Sequence, residues 1–270
     1  MSDPGKTKGH AHTLILVRHG QSDFNKRNLC SGWADPSLTE VGVREAKEGG
    51  KAMKAAGIKF DVAYTSRLQR AVQTLFWIQE ETGMHWVTVR RRWRLNERHY
   101  GALTGLCKYD LAQKFGEKQV KIWRRSFDVR PPAVDEKSEY YPANDERYKD
   151  VEKKLLPKCE SLEDCIQRVL PVWHEEIAAE LKEGKTVLVS AHGNALRGFL
   201  KHLAKISDED IVEVNLPTGI PIVCELDKEL NLIRRYFLAD EAVVKKEIQA
   251  IVDQGKARPL SVGRLGEKSA

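Results

Sequence analysis

Two segments near opposite ends of the chain share one pattern. "LILVRHGQS" at 14–22 and "TVLVSAHGNALRG" at 186–198 each run through an apolar, strand-like stretch, reach a His-Gly pair and continue into a polar segment that opens a helix. In a parallel sheet all strands end at one edge, and ligands bind in the crevice outside those carboxyl ends. The repeated pattern therefore predicts that His19 and His192 face one pocket. The glycine after each histidine lets the backbone turn sharply and lets a ligand approach the main chain. The helix N-terminus that follows offers unpaired N–H groups and a positive dipole end, which favour a phosphate.

The rest of the chain is consistent with such a sheet. Strand-like runs fall at 13–17, 61–64, 86–90, 185–190 and 220–226, with helical periodicity between most of them. This alternation predicts an α/β fold, a mainly parallel sheet flanked by helices on both faces. One helix is expected to open at the capping-box spacing of Ser37 and Glu40 and to stop at Gly57. Others are expected over about 67–82, 108–126, 161–182 and 194–203. The segment 127–160, with four prolines and no clear period, is too long for an ordinary connection and reads as a lid over the carboxyl edge. The resulting division is a loose arm at 1–12, a single catalytic domain at 13–250 with a lid region at about 108–160, and a flexible tail at 251–270.

Composition narrows the class. With 270 residues, 41% hydrophobic and 31% charged, the chain can bury a substantial core. It has no apolar run of about 18 residues and no apolar core for a secretory signal, so a cytoplasmic protein is expected, with no membrane partner. Five cysteines without a C-x-x-C pair argue against a disulfide framework or a zinc site. The net charge of +6 is spread along the chain, which suits anionic small molecules as well as nucleic acid. The motifs favour the former.

Arg18 stands beside His19 and can fork onto phosphate oxygens. In "YTSRLQRAVQT" a short strand ends in Thr65 and Ser66, and Arg70 lies one turn into the next helix, where it can point into the same crevice. Two arginines and two histidines about one point suit a doubly charged anion and repel a metal cation. Phosphoryl is the natural candidate. An imidazole held in one tautomer can attack phosphorus, and the proton carrier would be a carboxylic acid such as Glu97 in "WRLNERHYGALTG". Each residue also has a structural reading: Glu97 could pair with Arg94 or Arg98, Arg124 and Arg125 could be a solvated helix face, and His99 reads as structural.

Together, "LVRHGQSDFN", "CSGWADPSLTEVG", "FDVAYTSRLQRA", "RRWRLNERHYGALTG", "QVKIWRRSFDV", "SAHGNALRGFLKHL" and "NLPTGIPIVCEL" resemble the histidine phosphatase superfamily, and more narrowly its cofactor-dependent phosphoglycerate mutases. The resemblance implies that His19 is the phosphorylated nucleophile and that Glu97 exchanges the substrate proton. Arg18, Arg70 and His192 would stabilise the transferring phosphoryl, with Ser22, Asn25, Gly193 and Asn194 around it. Ser31, Gly32, Tyr100, Lys108, Arg124 and Arg125 would hold the rest of the acid. It further implies 2,3-bisphosphoglycerate as priming cofactor, phosphoglycerates as small-molecule partners, no metal, no nucleic acid, and a homodimer or homotetramer. Gln21, Phe24 and Cys30 depart from the family pattern at the rim. Alternatives are a bisphosphoglycerate synthase or phosphatase on the same scaffold, and a non-catalytic phospholigand-binding protein.

Overall fold

A computed structural model describes residues 9–253. Six strands form one sheet: β1 (His12–Arg18), β2 (Val62–Thr65), β3 (Thr88–Arg91), β4 (Val187–Ala191), β5 (Pro221–Leu226) and β6 (Leu232–Phe237). Their order is β3-β2-β4-β1-β5-β6. The first four are mutually parallel, whereas β5 runs antiparallel to β1 and β6 antiparallel to β5. The sheet is thus mixed with a parallel majority. Strand direction cannot be read from periodicity, and β6, whose Arg234 and Arg235 lie in its exposed stretch, is a sixth strand beyond the five expected.

The helices are α1 (Asp23–Lys26), α2 (Glu40–Ala55), α3 (Gln69–Thr82), α4 (Lys108–Phe115), α5 (Glu117–Arg125), α6 (Leu162–Val172), α7 (Ala178–Lys182), α8 (Gly193–Ala204) and α9 (Glu241–Asp253). Alternation along β1 explains how both faces of the sheet are covered. Leu14 and Leu16 pack with Val187, Val189, Val169 and Phe199 under α6 and α8. Ile15 and Val17 pack with Met53, Leu75, Ile78 and Leu188 under α2 and α3. A strand apolar on both sides has to be covered twice.

Several boundaries differ from expectation. Thr39, not Ser37, caps α2, its hydroxyl accepting the Gly42 N–H at 3.1 Å; Ser37 Oγ instead donates to Gln69 Oε1. The helix expected over 108–126 is two, divided at Gly116, whose φ of +80° interrupts the helical path. The one expected over 161–182 passes through a π-turn, Trp173–Ile177, just after Pro171. A proline lacks the N–H that an α-helical turn needs. His12 belongs to β1 rather than to the arm, and residues 251–253 belong to α9 rather than to the tail. Of the expected arm, residues 1–8 lie outside the described residues, as do residues 254–270 of the tail.

The segment 127–160 contains three short 3₁₀ turns. It is fastened beside α3: Arg67 grips Asp150 through two bonds of 2.6 Å, Arg147 pairs with Asp35, and Tyr148 packs on Trp33. Its position bears directly on the expected lid.

Candidate active site

The central strands β2, β4 and β1 end side by side, and their tips carry Ser66, His192 and His19. The β1–β4 ladder extends one residue past the strands, with His19 N donating to the Ala191 carbonyl at 3.0 Å. This brings the two imidazoles together, ring centroids 5.0 Å apart. The pocket predicted from the two His-Gly tips lies here, as a cleft of about 690 Å³ open to solvent.

His19 is buried, and its Nδ1 lies 2.7 Å from the Gly20 carbonyl. A carbonyl can only accept, so Nδ1 carries the proton and Nε2 keeps its lone pair. Arg70 Nε donates toward Nε2 at 3.3 Å, while its other nitrogens are fixed by the carbonyls of Ala34 and Gly32 at 2.8 and 2.9 Å. Burial, with Arg70 and Arg18 alongside, holds His19 well below the usual imidazole range, so the ring is neutral at pH 7. Burial also pulls Arg70 down to about 10, which leaves it charged. A neutral imidazole with a free lone pair beside a permanent cation can attack phosphorus while the cation steadies the charge on its oxygens.

Glu97 reaches the cleft from the turn after β3. Its Oε1 accepts from the Arg98 N–H at 2.7 Å, the Asn194 N–H at 3.1 Å and Asn194 Nδ2 at 2.9 Å. It makes no ion pair with Arg94 or Arg98 among the described residues. Arg98 turns away, stacks on Tyr100 and donates to the carbonyls of Trp123 and Arg124 at the end of α5. Those bonds set the adjacent arginines, Arg124 and Arg125, at the cleft wall. Arg125 also donates to Asn215 Oδ1 at 2.5 Å.

Of the residues expected at the site, Arg18, His19, Asn25, Ser31, Arg70, Glu97, Tyr100, Lys108, Arg124, Arg125, Gly193 and Asn194 line the cleft. Three do not. Ser22 is buried as the N-cap of α1, where its hydroxyl and the Asn25 side chain form a reciprocal capping box that aims Asn25. Gly32 contributes only the carbonyl that holds Arg70. His192 lies behind His19, fully buried. No residue of 127–160 lines the cleft; within the expected lid region only Lys108, Arg124 and Arg125, from α4 and α5, do so.

Sequence reading missed Arg197, Asn215 and Leu216, which also line the cleft. Arg197 NH1 donates to Asn194 Oδ1 at 2.9 Å and so orients the amide that holds Glu97. It sits about one turn into α8 from the His192 tip, the same layout that singled out Arg70. Asn215 and Leu216 belong to the quoted "NLPTGIP", and the Leu216 carbonyl accepts from Arg18 NH1 at 2.8 Å. The departures resolve differently. Gln21 faces the start of α2, its side chain accepting from Thr39 Oγ1 and its N–H bonding Glu45, whereas Cys30 is a buried thiol at the cleft wall.

The described cleft gathers six cationic side chains, Arg18, Arg70, Lys108, Arg124, Arg125 and Arg197, against one carboxylate, Glu97. Arg18 Nε and His192 Nδ1 are buried and find no hydrogen-bond partner among the described residues. Buried polar groups are almost always paired, and a phosphoryl oxygen supplies the acceptor that Arg18 Nε lacks, and that His192 Nδ1 lacks when it carries the ring proton. The donor set therefore fits a bisphosphorylated acid.

The sequence profile of the histidine phosphatase superfamily (branch 1) matches residues 14–151 and 133–238. The chain belongs to this superfamily. The chain is 51% identical, over 247 residues, to the 2,3-bisphosphoglycerate-dependent phosphoglycerate mutase of Borreliella afzelii (strain PKo), a match covering 92% of this chain and 100% of that protein. Among solved structures it is similar to a mycobacterial glucosyl-3-phosphoglycerate phosphatase, with a TM-score of 0.64, 21% identity, and coverage of 84% of this chain and 97% of that one. It is also similar to YhfR of Bacillus stearothermophilus, with a TM-score of 0.61, 21% identity, and coverage of 82% and 93%. At such identities the likeness is one of fold.

Proposed function

We propose that this histidine phosphatase is a 2,3-bisphosphoglycerate-dependent phosphoglycerate mutase, interconverting 3-phosphoglycerate and 2-phosphoglycerate in glycolysis and gluconeogenesis. The observation that carries the reading is the 51% identity along the whole length of the Borreliella afzelii mutase. A cleft with six cations about a buried, neutral histidine supports it.

When bound, 2,3-bisphosphoglycerate supplies the phosphoryl group that loads the enzyme. His19 Nε2 attacks phosphorus while Nδ1–H stays on the Gly20 carbonyl, so the ring does not turn. Arg18, Arg70 and His192 take up the charge on the equatorial oxygens, which is the main catalytic task in such transfers. Asn25 and the N-terminal backbone of α8 at Gly193 and Asn194 complete that cradle. Glu97, with Oε1 occupied by three N–H donors, uses Oε2 to take the proton of the attacking substrate hydroxyl and to return it in the second half-reaction. Ser31, Tyr100, Lys108, Arg124 and Arg125 hold the substrate carboxylate and its second phosphate while the acid reorients. No step uses a metal. Minor synthase and phosphatase activities follow when a different acceptor or water reaches phospho-His19.

The enzyme is proposed to act in the cytoplasm as a homodimer or homotetramer. Beside the edge strand β3, Trp86 is 76% exposed and Phe76 45% exposed, an aromatic surface that a second copy would cover. The decisive assay is conversion of 3- to 2-phosphoglycerate with and without 2,3-bisphosphoglycerate, with His19→Ala alongside. Activity is expected to need both the cofactor and His19. Equal activity in the variant, or indifference to the cofactor, contradicts the reading.

A further inference from the structure

Ser66, at the tip of β2, is fully buried and stands outside the lining of the cleft. Its hydroxyl oxygen accepts the Leu68 backbone N–H at 3.1 Å and lies 2.8 Å from His192 Nε2. A hydroxyl has one proton to give. Besides Nε2, no acceptor for that proton is found among the described residues, and a buried donor is almost always paired, so the proton goes to Nε2, the unprotonated nitrogen of a neutral ring.

His192 is held neutral. Burial comes first, and the charges of Arg70, His19, Arg168 and Arg18 add to it in disfavouring the imidazolium. A neutral ring that accepts at Nε2 carries its proton at Nδ1. That nitrogen is buried without a partner among the described residues, on a ring whose centroid lies 5.0 Å from that of His19, the two planes inclined at 59°. The opposite tautomer would present a lone pair there, repelling a phosphoryl oxygen rather than binding it.

We infer that Ser66 is a positioning residue that fixes the tautomer of His192, making Nδ1–H a hydrogen-bond donor to the phosphoryl group transferred to and from His19. The kinetic part of this inference rests on the proposed function; the tautomer does not. The nitrogen that bears the proton in a functional imidazole is set by the bond its other nitrogen makes. Here that bond comes from a strand tip, so β2 contributes to the chemistry without touching substrate.

The test has two arms. In the free enzyme, ¹⁵N NMR of the His192 ring is expected to show a protonated Nδ1 and an unprotonated Nε2, with the proton moving toward Nε2 in Ser66→Ala and returning in Ser66→Thr. A thermal melt of each variant separates this from misfolding. In the kinetic arm, Ser66→Ala is expected to slow phosphorylation of His19 by 2,3-bisphosphoglycerate about 10- to 100-fold with KM little changed. That is the scale lost when the partner orienting a metal-bound imidazole is removed. In a His192→Ala background the same change is expected to have no further effect. An Nε2–H tautomer in the wild-type enzyme, or Ser66→Ala and His192→Ala effects that simply add, overturns the inference. Failure of the mutase assay alone leaves the NMR arm able to decide the tautomer.

Discussion

At the scale of single residues, what distinguishes the site is how few of its groups are left to chance. His19 and Glu97 each spend hydrogen bonds on the protein so that one atom, Nε2 or Oε2, is left facing the cleft, and Arg70 is fixed beside His19 by two backbone carbonyls. Lys108 is different. Burial, with Arg124, Arg18 and Arg125 nearby, pulls it down to about 7, so it is charged below that pH and neutral above. A lowered lysine loses its attraction for an anion as pH rises through the shifted value. Apparent affinity for 3-phosphoglycerate, measured as 1/KM, is therefore expected to fall between about pH 7 and 9. Lys108→Arg, whose guanidinium stays charged, is expected to flatten that fall; identical profiles in the two proteins would count against the assignment. The sequence located most of these residues, because strand tips and adjacent charges are local features. It could not locate Ser22 behind Asn25 or His192 behind His19, because which of two neighbours is buried depends on packing between distant segments.

At the scale of elements, the close approach of α2 to the His19 turn fixes the geometry. A Cβ on Gly42 would sit 2.1 Å from the Gln21 carbonyl oxygen, and one on Gly20 would sit 2.2 Å from the Gly42 carbonyl oxygen. These obstacles are backbone atoms, which cannot swing aside as a flexible side chain can. Alanine in a helix is favoured over glycine by about 1 kcal/mol, yet overpacking of this kind costs about 1–3 kcal/mol. Gly42→Ala is expected to lower stability in denaturant unfolding despite its better helix propensity, and to lower kcat as the Gln21 end of the turn is displaced. A stabilised, fully active variant would show that α2 can retreat. Sequence periodicity found the helices but not this contact: Gly42 lies inside a helical pattern, and the turn at Gly20 reads as an approach for a ligand rather than for α2. The 127–160 segment illustrates the same gap from the other side: its length and prolines reveal irregularity, but only the Arg67–Asp150 and Arg147–Asp35 pairs place it against α3 rather than over the cleft.

On the scale of the whole molecule, the four parallel strands put the tips that line or back the cleft at one end of the sheet, while β5 and β6 extend the sheet beyond β1 through two antiparallel pairings. The parallel part was legible from alternating strand and helix patterns. The antiparallel part was not, because direction leaves no trace in composition. At the opposite side of the sheet, just before the edge strand β3, Trp86 is exposed, as is Phe76 on α3, which packs against the preceding His85. Trp86→Glu is expected to shift light-scattering mass toward the monomer without unfolding the chain; an unchanged mass would place the interface elsewhere. In the proposed mechanism His19 carries the phosphoryl group between half-reactions. That role is tested most directly by incubating the enzyme with labelled 2,3-bisphosphoglycerate, digesting at alkaline pH and mapping the label by mass spectrometry. The label is expected on His19, discharged by added 3-phosphoglycerate and absent from His19→Asn. Label on any other residue, or an unlabelled His19 in an enzyme that turns over at full rate, would contradict the account.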